Sequence, residues 1–177
     1  MLNSNQNEKY LKKIYKFKNV KLFFWAIFIQ IIILNNIQLS GYINPYYYLI
    51  FILSIPNKTS NAGILILSFL IGLVIDIFSN SYGIHSFASV TIAYIRIIWS
   101  SKIIHTKTED DLDINNLPIN LFLPKAFIFI IIHHFILFFL ERWSLNDIFS
   151  IIEITFISSL FTFVLFIIHK LFSANRI

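Results

Sequence analysis

An all-α, polytopic membrane helix bundle of about six transmembrane helices is the architecture this sequence predicts, on three observations. Of 177 residues, 57% are hydrophobic and only 13% are charged. The apolar residues gather in long runs instead of alternating with polar ones as in a soluble core. The basic residues fall unevenly between the segments that separate those runs, the bias expected of a chain threaded through a bilayer. Abundant Phe, Ile, Asn, Lys and Tyr follow the residue choice of an AT-rich genome, so the 20 Phe are not themselves a binding-site signal. With no cysteine, disulfides and thiolate metal sites are excluded.

Six apolar segments can be marked: 22–39, 45–55, 63–78, 84–99, 126–140 and 148–168. Crossing ~30 Å of hydrocarbon at ~1.5 Å per residue takes about 20 helical residues, and only the first and last meet that comfortably. The first is too long for a signal-peptide core and no small-residue cleavage pattern follows it. In the second, Asn44 and Pro45 make a good N-cap and first helical position, and Pro56 stops or kinks the helix. That segment is therefore short: it either continues past Pro56 with a kink or dips in and returns.

Charge decides between these. With six crossings and both termini cytoplasmic, twelve basic residues collect inside: Lys9, Lys12, Lys13, Lys16, Lys18, Lys21, Lys58, Lys102, Lys107, Lys125, Lys170 and Arg176. Only Arg142 is left outside, and Arg96 lies within a span. The chain then divides into a basic amphipathic cytoplasmic N-terminus (1–21), a six-span domain (22–170) with a cytoplasmic loop at 100–125, and a short tail (171–177). The N-terminal segment alternates Tyr10, Leu11, Ile14 and Phe17 with lysines at helical spacing and suits the surface of an anionic leaflet. The loop carries Glu109, Asp110, Asp111 and Asp113, a cluster expected to be solvated.

No catalytic, cofactor or metal set is legible. His133 and His134 are adjacent, so on a helix they point about 100° apart and cannot hold one ion; hydrogen bonds to neighbouring helices are their expected use. Glu141 follows His134 on the same face but roughly 10 Å along the axis, too far for an acid–base pair. Asp76 closes the apolar run of the third segment, ahead of the polar turn Ser79–Tyr82. A carboxylate there costs up to about 2.5–3.5 kcal/mol, less towards the interface, and asks for a reason. Its own helix dipole opposes it, so donors are expected from Ser79–Tyr82, from His85 or from Arg142. Arg96 is expected to reach the inner interface beside Trp99. Pairs four apart, such as Ser68 and Gly72, Ser89 and Ala93, Thr155 and Ser159, and Ser158 and Thr162, fit close helix packing.

The stretch NPYYYLIFILSIPNKTSNAGILILSFLIGLVIDIFSNSYGIHSFASVTIAYIRIIW resembles the rod shape-determining MreD family. The resemblance rests on the Asn44-Pro45 start of the second segment, on Gly72-Leu-x-x-Asp76 and on Gly83 in the turn. An Ala93-Tyr-x-Arg96 element and the His133-His134…Phe-x-Glu141 element add to it. It implies a non-enzymatic subunit of the bacterial inner membrane, similar in helical arrangement to the substrate-binding subunits of energy-coupling-factor transporters. Such a subunit would hold MreC and, with it, RodA and its transpeptidase partner, with MreB filaments beneath, and would bind no nucleic acid and need no cofactor. Asn44, Pro45, Gly72, Asp76, Gly83, His85, Ala93, Arg96, His134 and Glu141 are then the structural or partner-contact residues. A vitamin-binding transporter subunit is the alternative, with Tyr46, Tyr47, Asp76, Tyr82, His85 and Glu153 as its polar lining. A small intramembrane enzyme using Asp76 and His85 is a third.

Overall fold

The computed structural model describes residues 19–37, 43–103 and 117–174. The amphipathic pattern of 8–18, the acidic cluster and Arg176 lie outside the described residues. Among the described residues six helices follow one another: α1 (Asn19–Asn36), α2 (Leu49–Ser54), α3 (Asn61–Ser79), α4 (Ile84–Ile103), α5 (Ile119–Arg142) and α6 (Ile148–Ala174). No strand occurs among the described residues. Four helices, α1, α3, α5 and α6, are long and apolar enough to cross a membrane. Of the other two, α4 has the length but carries Ser86, Ser89, Arg96 and Ser100 on its buried side, and α2 has only 6 residues.

Helix boundaries have local causes. The Ser60 side chain accepts from Gly63 N at 3.2 Å and caps the start of α3. At its end Asn80 takes a left-handed conformation and returns its N–H to the Asp76 carbonyl. Asn80, Tyr82 and Gly83 all have positive φ (53°, 52° and 93°), which folds the chain back within a few residues into α4. The helix α5 begins at Ile119, ahead of the apolar run at 126, and includes Pro124. That proline leaves the carbonyl of Asn120 without its helical donor, and Asn120 is exposed.

Two hairpins make the frame, α3 with α4 and α5 with α6, and α4 packs on α5 with Trp99 and Phe129 rings 5.9 Å apart. Gly72 permits the first hairpin. A Cβ built there would stand 2.6 Å from the Ser86 Cα and 2.8 Å from the His85 carbonyl oxygen, so only glycine lets the backbones approach this closely. The small-residue faces point inward: Ser68, Ser89, Ala93, Ser158, Ser159 and Thr162 are all fully buried.

The second segment lies at the centre. Every residue from Pro45 to Ile55 is buried, as suits a stretch that is apolar on all sides. It is helical only over Leu49–Ser54, less than the 45–55 run suggests, because Pro45–Tyr48 enters as turn and Ile55 leaves in extended geometry before Pro56. Asn35 Nδ2, near the C-terminal end of α1, donates to Ser79 Oγ at the C-terminal end of α3 at 3.0 Å. The two helices are thus parallel, and the described residues 43–60 run back along the bundle between them. α1 itself is peripheral, with 17% of its apolar window buried against 33–44% for α3, α5 and α6.

Gly72→Ala is expected to lower stability by about 1–3 kcal/mol, since the new methyl meets backbone and not a flexible side chain. Thermal unfolding in mild detergent measures this. An unchanged melting temperature would show that α3 and α4 separate without cost.

Candidate functional site

Polar side chains inside this apolar bundle converge on the ends of two helices. The first is the start of α4. Asp76 Oδ1 accepts from the Ser81 hydroxyl at 2.6 Å and from the His85 backbone N–H at 2.9 Å, and Oδ2 accepts from Ser86 N at 2.8 Å and Ser86 Oγ at 2.5 Å. The carboxylate of one helix therefore caps the N-terminus of the next. The dipole of α3 opposes a negative charge in its last turn, but the N-terminus of α4 favours one, and with charge-assisted bonds it supplies the compensation. Arg142 takes no part and donates to Ser150 Oγ at 2.8 Å.

His85 completes this cap. Its Nδ1 lies 2.8 Å from Ser81 Oγ and 3.1 Å from Asp76 Oδ1. Because the Ser81 proton is already given to Asp76, Nδ1 must carry a hydrogen and share it between the two oxygens. Gly72 and Gly83 serve the same cap, one by close approach and the other by the turn.

The second helix end is the start of α2. Gln30 Oε1 accepts from the backbone N–H groups of Tyr47 at 2.8 Å and Tyr48 at 3.4 Å, while its Nε2 donates to the Pro45 carbonyl at 3.1 Å. Gln30 sits in the π-helical turn Ile29–Ile33 of α1, and Asn36 Nδ2 donates to the Ile31 and Ile32 carbonyls there. Such a local widening of a helix re-aims a side chain. From the other side α6 contributes Thr162 Oγ1, which accepts from Tyr46 N at 3.0 Å, and Ser158 Oγ, which accepts from Asn44 N at 3.3 Å. Four residues apart, these hydroxyls share one face of α6.

Arg96 holds the opposite end of α2. It is buried and donates to the carbonyls of Ile52, at 2.9 Å, and Ile55, and to Asn57 Oδ1 at 2.9 Å. The expectation that Arg96 reaches the interface beside Trp99 is corrected. Its guanidinium turns inward because the last carbonyls of a short helix before Pro56 have no helical donors, and lipid offers none.

Between the two ends lies an aromatic and imidazole cluster. The Tyr46 ring stands 5.4, 5.9 and 5.1 Å from the rings of His85, His133 and His134, and 6.0 Å from Phe138. Tyr48 OH is 2.8 Å from His133 Nε2. His134 Nδ1 donates to the Ile130 carbonyl at 2.8 Å, so its Nε2 is the acceptor for the Thr162 hydroxyl at 3.0 Å. The adjacent histidines thus address α2 and α6 separately. His133 Nδ1 and Asn44 Oδ1 are buried without a partner.

No protein-family model, curated protein or solved structure matches this chain.

Of the residues singled out from sequence, Gly72, Asp76, Gly83 and His85 meet at the start of α4. Asn44, Pro45 and His134 gather around the segment that leads into α2, and Arg96 lies at the end of that helix; the expectation that Asn44 caps α2 with Pro45 as its first residue is corrected, since the N-cap is Tyr48 and no side chain caps there. Ala93 is buried one turn before Arg96 on α4. Glu141 is not among them: it lies exposed in the last turn of α5. Gln30 and Thr162 escaped sequence reasoning. A lone amide inside the run 22–39 was the available signal for Gln30. For Thr162 the spacing with Ser158 gave the face but not its role.

Asp76→Leu leaves the N–H groups of His85 and Ser86 without an acceptor, at about 1–3 kcal/mol each. It should melt well below Asp76→Asn, which keeps one oxygen, and equal melting of the two in detergent would remove the cap from the account. Arg96→Leu strands the Ile52 and Ile55 carbonyls at a comparable cost of about 1–3 kcal/mol each. It should expose Pro56 to limited proteolysis, and Arg96→Lys, with three donors on one nitrogen, should recover part of the protection.

Proposed function

We propose that this chain is a non-enzymatic scaffold subunit of the bacterial cell-elongation complex, of the kind the resemblance to MreD implies. It sits in the inner membrane, crosses it six times, and holds MreC there for RodA and its transpeptidase partner. The observation that carries the reading is where the ionisable groups of the motif are engaged. Both oxygens of Asp76 accept from the start of α4, and Arg96 donates to the end of α2. These bonds stiffen a hairpin and a central helix, which is what a binding platform needs.

The parallel course of α1 and α3 supports the six-crossing topology, because the segment between them has to return from one face to the other. The asymmetry of the basic residues counted above supports a reading in which both termini are cytoplasmic. The exposed aromatics Tyr82 and Trp143 then share the outer face, where such rings anchor at the headgroups.

A second reading has one observation in its favour. The unpartnered His133 Nδ1 and Asn44 Oδ1 flank Tyr46 and leave an imidazole nitrogen and an accepting amide oxygen for a small molecule, as a transporter's substrate-binding subunit would.

Reporter fusions after Ile43, Asn80 and Ser144 should read external and those after Lys58 and Thr108 internal; a cytoplasmic reading at Asn80 would end the six-crossing topology. Purification in mild detergent should retain MreC, and depletion in a rod-shaped host should give rounded cells with normal vitamin uptake. A co-purifying vitamin with a loss of uptake, and normal rods, would replace the scaffold by the transporter subunit.

A further inference from the structure

The ionisable residues of the helices are not all engaged. Glu153 lies on the exposed face of α6 and has no hydrogen-bond or ion-pair partner among the described residues. Phe149, Ile152, Phe156 and Leu160 surround it on the same stripe and are 84%, 52%, 53% and 41% exposed. The opposite stripe, Ile151, Thr155, Ser158 and Thr162, is buried in the bundle. The apolar part of α6, Ile148–Ser173, is 26 residues long, roughly 39 Å, and exceeds the ~30 Å of hydrocarbon. With His169 and Lys170 at one interface, about 20 residues of hydrocarbon reach back to Phe149, which puts Glu153 roughly 6 Å inside the other boundary. Glu141 and Asp147 differ from it, since they stand at the α5–α6 turn where water reaches them.

A carboxyl group facing lipid at that depth loses hydration, and no described residue bonds it; the Arg142 guanidinium, at the end of α5, is engaged by Ser150, one turn before Glu153 on α6. Its side chain stands among large exposed apolar groups at the spacing of one helix face, and the carboxyl is what sets this stripe apart from the other exposed apolar faces. We infer that the face of α6 centred on Glu153 docks a transmembrane helix of a partner protein carrying a basic side chain at the matching depth. The charge specifies the partner: an arginine or lysine there supplies the donor that the carboxylate lacks, and the flanking Phe149, Ile152 and Phe156 supply the apolar seat. The inference rests on the scaffold reading and names the face that would do the holding.

The test uses the full chain in phosphatidylcholine vesicles, labelled through a Ser144→Cys substitution that is unique because the chain has no cysteine of its own. The probes are two fluorescent leucine-rich transmembrane peptides, identical except for one arginine about four residues from the outer end in the first. Energy transfer should show the arginine peptide binding about fivefold to thirtyfold more tightly than the all-leucine one, the range expected of one interhelical polar contact. Glu153→Leu should abolish the difference and Glu153→Gln retain part of it. Being exposed and without a partner among the described residues, Glu153 can be replaced without unfolding the bundle, and an unchanged melting temperature checks this. Equal binding of the two peptides to the wild-type chain, or a preference that survives in Glu153→Leu, would mean that lipid covers this face. A disulfide dimer formed in high yield by Phe156→Cys alone would assign the face to a second copy and likewise overturn the inference. Recovery of MreC separates the two levels. If wild type and Glu153→Leu retain MreC equally, the scaffold stands and the face is wrong. If the arginine preference holds but wild type retains no MreC, the face stands and the scaffold reading falls.

Discussion

Everything in this bundle is arranged around a helix too short to satisfy its own backbone. A helix leaves its first four N–H groups and last four carbonyls without internal partners, and in one of 6 residues those orphans outnumber the bonds it makes. Surrounded by protein on every side and by lipid beyond, α2 has no water to turn to, and each unsatisfied group costs several kcal/mol. The surrounding helices meet the cost. Gln30 of α1 and Arg96 of α4 aim polar atoms at its two ends, and Thr162 and Ser158 of α6 answer N–H groups of the buried segment that leads into it.

The same logic explains why the two motif residues with opposite charge do not pair. Asp76 lies at the start of α4, where partial positive charge gathers, and Arg96 lies against the end of α2, where partial negative charge gathers. Each charge is matched to a helix terminus of opposite sign, at a different level of the bundle. A direct ion pair would have left both helix ends uncapped. Helix α4 is consequently held at its start by α3 while it holds α2 further along, so displacement of one hairpin strains the centre of the molecule.

The helical bundle was legible in the sequence where apolar length sets it: each of the six apolar segments overlaps a described helix, and four of those helices are long and apolar enough to cross a membrane. The boundaries were less so. Helix α5 starts ahead of its apolar run because a proline near the beginning of a helix, over an exposed carbonyl, does little harm. Tyr46–Tyr48 reads as helix by composition but enters as a turn, because its N–H groups are answered by residues 17 and 116 positions away. Asp76 could be marked as a carboxylate in need of donors. Which donors, and that they are the first N–H groups of the next helix, depended on the backbone approach at Gly72. Arg96 was misplaced for a related reason: spacing gives the depth of a side chain but not the direction it turns, and the carbonyls that draw it inward belong to a segment 41–44 residues earlier. Gln30 and Thr162 bond backbone groups far along the chain, so the lone amide and the four-residue spacing mark these positions without revealing what they hold.

The anchoring by α6 of the segment that leads into α2 also sets an order of events during synthesis. Thr162 is made 116 residues after Tyr46, and Ser158 114 residues after Asn44. At about 5–20 residues per second, the nascent chain waits roughly 6–23 s before the acceptors for those N–H groups exist. Until then the second segment has no stable place in hydrocarbon, and it has to be sheltered in the insertion machinery or held at the water interface. Its final position is reached only when α6 closes the bundle, so the centre of this molecule is built last although it is translated among the first.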